Sequence, residues 1–448
     1  MSVNLKKLIT ISLILMLTVG VVCFCCSCAV VNSATATPTT QAVIDNGILH
    51  DPYFEGEDEV ESALSTVSQN AGIGEHTYLV CKGYSNYLDS TYSDTIVTRS
   101  EWICGLLDTL EVAIVDENDF SVKSYIDSKY YDNSEYFVTA AKNGYIGGVS
   151  KGFGQYAPAT RQYVSTTLVM AAGYPRNYKL SCSDFAMIED KKQAATCVEL
   201  GFIELNENNC FDPYGYITQD QVDYILGELE YLKVLKGKTV LSFGDSIMHG
   251  DGNFNEGIAD LLEKKYMMKA VDYSKGGSTF GYVRDREQIS NQVIAAIKNK
   301  EKADVILLDG GTNDMRKVAP GEVSDDFEYK NHGRADFCSG MEYTLGLIDD
   351  KFADVPVLYV RAHNMKFSLE RNEVHFGELA LDICEKWQVN VADVFSDTNF
   401  NAHDELIKSE YTVHTKNCEK GDSVHPNKLG YEEFYIPLIA QKLNEIFA

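Results

Sequence analysis

The chain has 448 residues, enough for two or three domains, and its 45% hydrophobic and 23% charged content is that of a globular protein rather than a disordered one. A formal net charge of -27 argues against a nucleic-acid binder, because a phosphate backbone would be repelled, and disfavours adsorption to anionic lipid.

Lys6 and Lys7 precede an apolar run from Leu8 to Phe24, and Ser27-Cys-Ala29 or Ala34-Thr-Ala36 offers small residues for cleavage, so residues 1–36 read as an export signal. The run is also close to the length that spans a bilayer, which leaves an uncleaved membrane anchor as the alternative. Either way the leader is the one segment expected to meet a membrane. Lipid attachment at Cys23, Cys25, Cys26 or Cys28 is a third reading, without a good lipobox in front of any of them. The other eight cysteines show no CxxC spacing, and HExxH and phosphate-loop patterns are missing, so neither metal nor cofactor is expected. Cys182, Cys197 and Cys210 form the cluster in which to look for a bridge, while Cys384 lies in an apolar helical pattern and reads as a buried thiol.

Residues 37–76 open on a stretch rich in Ala, Thr and Pro and continue acidic and weakly periodic, as a linker does. An internal repeat occupies residues 77–235. Val97-Thr-Arg-Ser-Glu101, Pro158-Ala-Thr-Arg-Gln162 and Ile217-Thr-Gln-Asp-Gln221 each open an amphipathic run. Their threonines Thr98, Thr160 and Thr218 recur about every sixty residues and are placed as helix N-caps, with an acid or amide three residues on in two of the three. Upstream, the segments ending at Gly144-Tyr-Ile146 and Gly201-Phe-Ile203 match each other as helices closed by a Gly C-cap. This pattern resembles the S-layer homology (SLH) repeat. The resemblance implies a mostly α-helical pseudo-trimer that binds secondary cell-wall polysaccharide, with Arg99 and Arg161 contacting anionic sugar groups through their guanidinium forks. The third copy carries Gln219 where the arginine is expected.

From residue 236 to 448 the pattern changes to alternating strands and helices. Strands are expected at Thr239 to Phe243, Ala270 to Tyr273, Asp304 to Leu308, Val355 to Val360 and Val389 to Val394. Helical patterns run from Ile258 to Tyr266, Gln288 to Lys298, Gly340 to Phe352, Phe376 to Trp387 and Lys428 to Phe447. Such alternation predicts an α/β fold, a three-layer α/β/α sandwich around a parallel sheet.

Four polar blocks fall at the ends of these elements: Gly244-Asp-Ser246, Ser274-Lys-Gly-Gly-Ser278, Asp309-Gly-Gly-Thr-Asn-Asp314 and Gly421-Asp-Ser-Val-His-Pro426. In this order and context they resemble the SGNH, or GDSL-type, hydrolases, with a flavodoxin-like sheet. A serine hydroxyl is a poor nucleophile until a base takes its proton. Ser246 is accordingly the candidate nucleophile, His425 the base, and Asp422 the acceptor that fixes the imidazole's tautomer. The resemblance implies an oxyanion hole made of the backbone N–H of Ser246, the backbone N–H of Gly277 and the side-chain amide of Asn313, with Gly276 competing for the second place. Asp245 also suits a helix cap. Asp314 is assigned a structural role, and His249, His363 and His414 surface or pocket-lining positions.

The two resemblances together imply a secreted, envelope-associated serine esterase acting on acylated carbohydrate, with O-acetyl groups the expected ester and cell-wall polysaccharide the expected partner. The alternatives are a lipase or lysophospholipase of the same type, and a non-catalytic cell-wall-binding surface protein.

Overall fold

The computed structural model describes residues 96–116, 133–146, 157–366 and 370–448. The leader, the linker and the first part of the first repeat lie outside them. The chain divides into two compact units that part between Leu226 and Gly227, within the helix Gln219–Leu235.

In the first unit the three threonines do cap helices. The Thr98 hydroxyl accepts the N–H of Glu101 at 3.2 Å while the Glu101 carboxylate accepts the N–H of Thr98 at 2.8 Å, opening the helix Arg99–Thr109. Thr160 accepts from Tyr163 at 3.2 Å and opens Arg161–Ala172. Thr218 and Gln221 exchange the same two bonds, at 3.4 and 3.2 Å. Each cap contributes about 1 kcal/mol.

The residues just before these caps close a ring. The Ala159 N–H donates to the Val97 carbonyl (2.8 Å), the Ile217 N–H to that of Ala159 (2.9 Å), and the Val97 N–H to that of Ile217 (3.4 Å). Val97, Ala159 and Ile217 thus each receive one bond and give one, a pseudo-threefold arrangement of backbone.

Helices Ser134–Lys142 and Lys191–Glu199 end alike. Gly144 and Gly201 take φ of 74° and 71°, which a side chain would resist. The next residues, Tyr145 and Phe202, return their N–H to Ala140 and Cys197. Beneath, Trp102, Leu106, Phe137, Val164, Leu168, Ile217 and Ile225 are buried, and the Trp102 indole N–H is satisfied by Thr167 at 2.7 Å.

The bridge expected among Cys182, Cys197 and Cys210 is not formed, and all three are free thiols. Cys197 faces the interior of its helix packing, with its sulfur 3.8 Å from the Ser165 carbonyl, whereas Cys182 and Cys210 lie on partly exposed loops. Cys384 is buried, as its apolar neighbours predict.

The second unit is built on five strands, β1 Thr239–Phe243, β2 Lys269–Asp272, β3 Val305–Asp309, β4 Val357–Arg361 and β5 Asn390–Asp393. All pair in parallel in the order β2-β1-β3-β4-β5. β3 is buried along its whole length, as a central strand covered on both faces must be, which is why its sequence reads as an unbroken apolar run. Helices Ile258–Tyr266 and Ile436–Phe447 cover one face, and Ile289–Asn299, Phe337–Lys351 and Glu370–Lys386 the other. This is the α/β/α sandwich expected from the alternation.

Element ends shift by a few residues for local reasons. Phe337–Lys351 begins three residues ahead of its apolar pattern because Asp336 caps it, accepting the Ser339 N–H at 2.9 Å. The last helical pattern is broken by a π turn over Tyr431–Tyr435, just ahead of Pro437, which has no N–H to give. Tyr431 and Tyr435 are both buried there, and the Tyr431 hydroxyl donates to the Ile247 carbonyl at 2.7 Å.

From β1 the chain goes first to one side, to β2, and then to the other, to β3. A parallel sheet opens a crevice at such a reversal, beyond the carboxyl ends of its strands. Ser246 follows β1 and Asn313 follows β3, so both stand at that crevice.

Candidate active site

Gly244-Asp-Ser246 makes the turn out of β1, and Ser246 begins a single helical turn, Ser246–His249. Asp245 caps that turn by accepting the Ile247 N–H at 3.0 Å. Gly244 is held on both sides by one side chain: the Gln292 carbonyl oxygen accepts its N–H and the Gln292 amide donates to its carbonyl, each at 2.8 Å. Asp309, at the end of β3, accepts the Asp245 N–H at 2.8 Å. The backbone just ahead of Ser246 is thereby anchored from two other elements.

His425 Nε2 lies 3.0 Å from Ser246 Oγ, and His425 Nδ1 lies 2.6 Å from Asp422 Oδ2. The other Asp422 oxygen accepts the N–H groups of Val424 (3.0 Å) and His425 (2.9 Å), so acid and base are fixed in one tight loop. A neighbouring segment grips that loop from both ends: Asp422 donates its N–H to the Val413 carbonyl and Val413 returns its own to His425. The structure brings together all three residues that the sequence blocks single out.

Electrostatics follow the geometry. Burial works to lower the His425 pKa, but the hydrogen bond and charge of Asp422 outweigh it and hold the imidazole above its ordinary 6.5. Burial likewise works to raise Asp422, and the bonds it accepts from His425 and Val424 leave it below the ordinary carboxylate value. Acid and base are poised as an ionised carboxylate beside a strengthened base.

Asn313 donates through Nδ2 to Asp245 Oδ2 and to the Ser278 carbonyl, both at 3.1 Å. Gly277 adopts φ 79°, and a Cβ there would meet the Arg286 guanidinium at 2.1 Å, so a side chain at this position would be strained. At Gly276 a Cβ would instead meet Asp251 at 2.2 Å.

Asp314 is buried and accepts the N–H groups of Gly281 (2.8 Å) and Phe280 (3.1 Å), which ties the segment just after the second polar block to the third. Its carboxyl is raised to about 7 by burial. Asp245 is raised to about 6, also by burial. Asp309 is pushed well up by burial and by the Asp245 charge beside it.

Gln292, which holds Gly244, is a position that the sequence pattern does not single out. Its trace is a polar residue on the buried face of an apolar helix, whereas Asp309 opens the third polar block. His363 is not the surface or pocket-lining residue expected. It is wholly buried because its ring stacks on Phe400, with centroids 3.9 Å apart. His249 pairs with Asp251 at 2.7 Å, and His414 meets the Ser409 carbonyl.

In the first unit Arg99 is 3% exposed, with its guanidinium 4.8 Å from the Tyr163 ring centre. Arg161 donates to the main-chain carbonyls of Phe211, at 2.6 Å, and Glu204. Both groups are engaged within the unit.

Residues 242–433 match the family model described as the GDSL-like lipase/acylhydrolase family. Among solved structures, a protein from Lactobacillus plantarum is similar at 20% identity and TM-score 0.39, covering 47% of this chain and 97% of that one. A lipase/acylhydrolase from Enterococcus faecalis is similar at 14% identity and TM-score 0.32, covering 47% and 97%. A carbohydrate acetylesterase from Sinorhizobium meliloti is similar at 14% identity and TM-score 0.33, covering 47% and 100%. Among curated proteins none matches.

Proposed function

With a lipase/acylhydrolase match over residues 242–433 as the premise, we propose that this protein is a serine esterase that removes acyl groups, O-acetyl above all, from carbohydrate, and that its first unit is an SLH-like module for cell-wall polysaccharide. The observation that carries the enzymatic reading is the continuous relay Ser246–His425–Asp422, with links of 3.0 and 2.6 Å. His425 Nε2 takes the hydroxyl proton as Ser246 Oγ adds to the ester carbonyl. Asp422 stabilises the imidazolium, which then gives the proton to the departing sugar oxygen. The serine is left acylated. Water, activated by the same imidazole, adds to the acyl carbon and releases the acid and free Ser246. The N–H groups of Ser246 and Gly277 and the Asn313 amide would carry the developing oxyanion, each such donor lowering the barrier by about 3 kcal/mol.

What supports a carbohydrate ester is the company the site keeps: a repeat unit with the motifs of a glycan-binding module precedes it in the same chain. An exported, envelope-associated protein accords with the charged and apolar leader at residues 6–24. The test is acid release from acetylated xylan, acetylated peptidoglycan and p-nitrophenyl esters of increasing length. Release of acetate from the polysaccharides is expected. Activity confined to long-chain esters would replace this reading with the lipase one, and no turnover of any ester would leave a binding protein. For the module, retention of the protein on purified cell walls should fall when Arg99 and Arg161 are replaced. Because both guanidinium groups pack inside the unit, each variant is checked by its thermal melt. Unchanged retention would remove these arginines from the binding site.

The raised His425 pKa sets the pH dependence. The base works only when neutral, so kcat/KM should climb with pH and reach half its plateau above pH 6.5. In Asp422→Asn the carboxylate that raises it is gone, and the midpoint of the much weaker residual activity should move down. A wild-type midpoint at or below 6.5 would show that Asp422 does not strengthen this base.

A further inference from the structure

Helix Ile289–Asn299 turns Ile289, Val293 and Ala296 into the core, and Gln292 lies on that apolar stripe, 4% exposed. A primary amide enclosed there needs partners for both of its hydrogens. It has them. Gln292 Nε2 donates to the Gly244 carbonyl at 2.8 Å and to Ser278 Oγ at 3.0 Å, while Oε1 accepts the Gly244 N–H at 2.8 Å. The amide cannot be turned about, because a flipped group would face the Gly244 N–H with hydrogens of its own. Ser278, itself fully buried, accepts from Gln292 and gives its one hydroxyl hydrogen to the Lys275 carbonyl at 2.7 Å. That carbonyl also takes the Ser278 N–H at 3.2 Å, and the Lys275 N–H reaches back to the Gly244 carbonyl at 3.1 Å.

These bonds close a circuit through three of the four polar blocks. From Gln292 it runs to Gly244 and along the backbone to Asp245, whose carboxylate accepts from Asn313 Nδ2 at 3.1 Å. The same Asn313 nitrogen donates to the Ser278 carbonyl at 3.1 Å, and the Ser278 hydroxyl leads back to Gln292. Pairing between β1 and β2 ends at Ser242 and Asp272, so the turns beyond it are held together by the Lys275 main-chain bond and by Gln292. We infer that Gln292 is a positioning residue that keeps the turn carrying Ser246 in register with the Asn313 amide and with the Lys275–Ser278 turn that contains Gly277. When Ser246 adds to an ester carbonyl, the carbonyl oxygen has to arrive about 2.7–3.1 Å from its donors at the same moment, so the spacing between nucleophile and donors decides the rate. The circuit passes through neither Asp422 nor His425. Gln292 therefore acts on the addition step and leaves the acid and base as they are.

This inference rests on the serine-hydrolase reading for its kinetic arm but not for its spectroscopic one. Gln292→Met fills much the same space and removes all three bonds. In it kcat should fall about tenfold or more with KM nearly unchanged, since small misplacements of reacting groups cost rate rather than binding. The acid limb of the pH profile should stay where it is, because Asp422 and His425 keep their contacts. A double-mutant cycle isolates the coupling: with Asn313→Ala already in place, Gln292→Met should cost far less than it does in the wild type. NMR reads the same link without substrate. The Asn313 side-chain amide resonances should shift in Gln292→Met, and their hydrogens should exchange faster with water. If Gln292→Met does not fold, Ser278→Ala, which cuts the hydroxyl link and leaves Gly244 held, should give the same signature more weakly. An unchanged kcat, losses that simply multiply in the cycle, or unmoved Asn313 resonances in a folded variant would each overturn the inference. A wild-type protein without esterase activity would count against the hydrolase reading and leave the resonances to decide this one.

Discussion

Ser246→Ala is expected to reduce ester hydrolysis by about 10⁴-fold or more, to whatever the oxyanion donors alone provide. The hydroxyl lies 3.0 Å from His425 Nε2, the base that would take its proton. Removal of one oxygen from a nearly buried side chain should leave the melting temperature almost unchanged, because the turn is held by Gln292, Asp309 and Tyr431 through backbone atoms. Loss of rate with an intact melt is therefore the signature. Equal initial rates for Ser246→Ala and wild type on p-nitrophenyl acetate would falsify the nucleophile assignment.

Gly244→Ala should destabilise the second unit strongly. A Cβ at Gly244 would lie 1.6 Å from Asp309 Oδ1 and 2.9 Å from the Met248 Cβ, and neither can withdraw freely. Asp309 is bonded to the Asp245 N–H, and Met248 is buried in the turn that carries Ser246. Overpacking of this kind costs about 1–3 kcal/mol and can exceed it where backbone must move, which at about 2–4 °C per kcal/mol in a domain of this size is a readily measured drop in Tm. Activity should go with it, since relief of the clash displaces Ser246 itself. Gly227→Ala is the control of opposite sign. It lies inside the helix Gln219–Leu235 with open space around its Cβ, so alanine there should stabilise by about 0.5–1 kcal/mol. Similar melts for the two variants would mean that the turn yields to the extra methyl.

The sheet was legible because parallel strands buried on both faces write themselves as apolar runs: β1 is placed to the residue and β3 within one. Ser246, Asp422 and His425 were legible because each polar block closes or opens such an element. Gln292 and His363 were not. Their partners are 48 and 72 residues away, and a polar side chain inside an apolar pattern carries no mark of whom it will meet. Arg99 and Arg161 show the converse. A guanidinium after a helix cap looks available to an anion, but Tyr163 and the carbonyl of Phe211 receive these two first. Local pattern reveals where a charged group starts, while its end point belongs to tertiary packing.

The ring through Val97, Ala159 and Ile217 has a consequence for how the first unit comes into being. Its members are about sixty residues apart, so two long loops must be closed before the third bond can form, and the entropy of closure is met without local reward. No pair of segments can complete the arrangement alone. During synthesis the first two segments can join through Ala159 and Val97, but the ring stays open until the last has left the ribosome, and a chain deprived of any one of the three would leave the other two with an unanswered donor and acceptor.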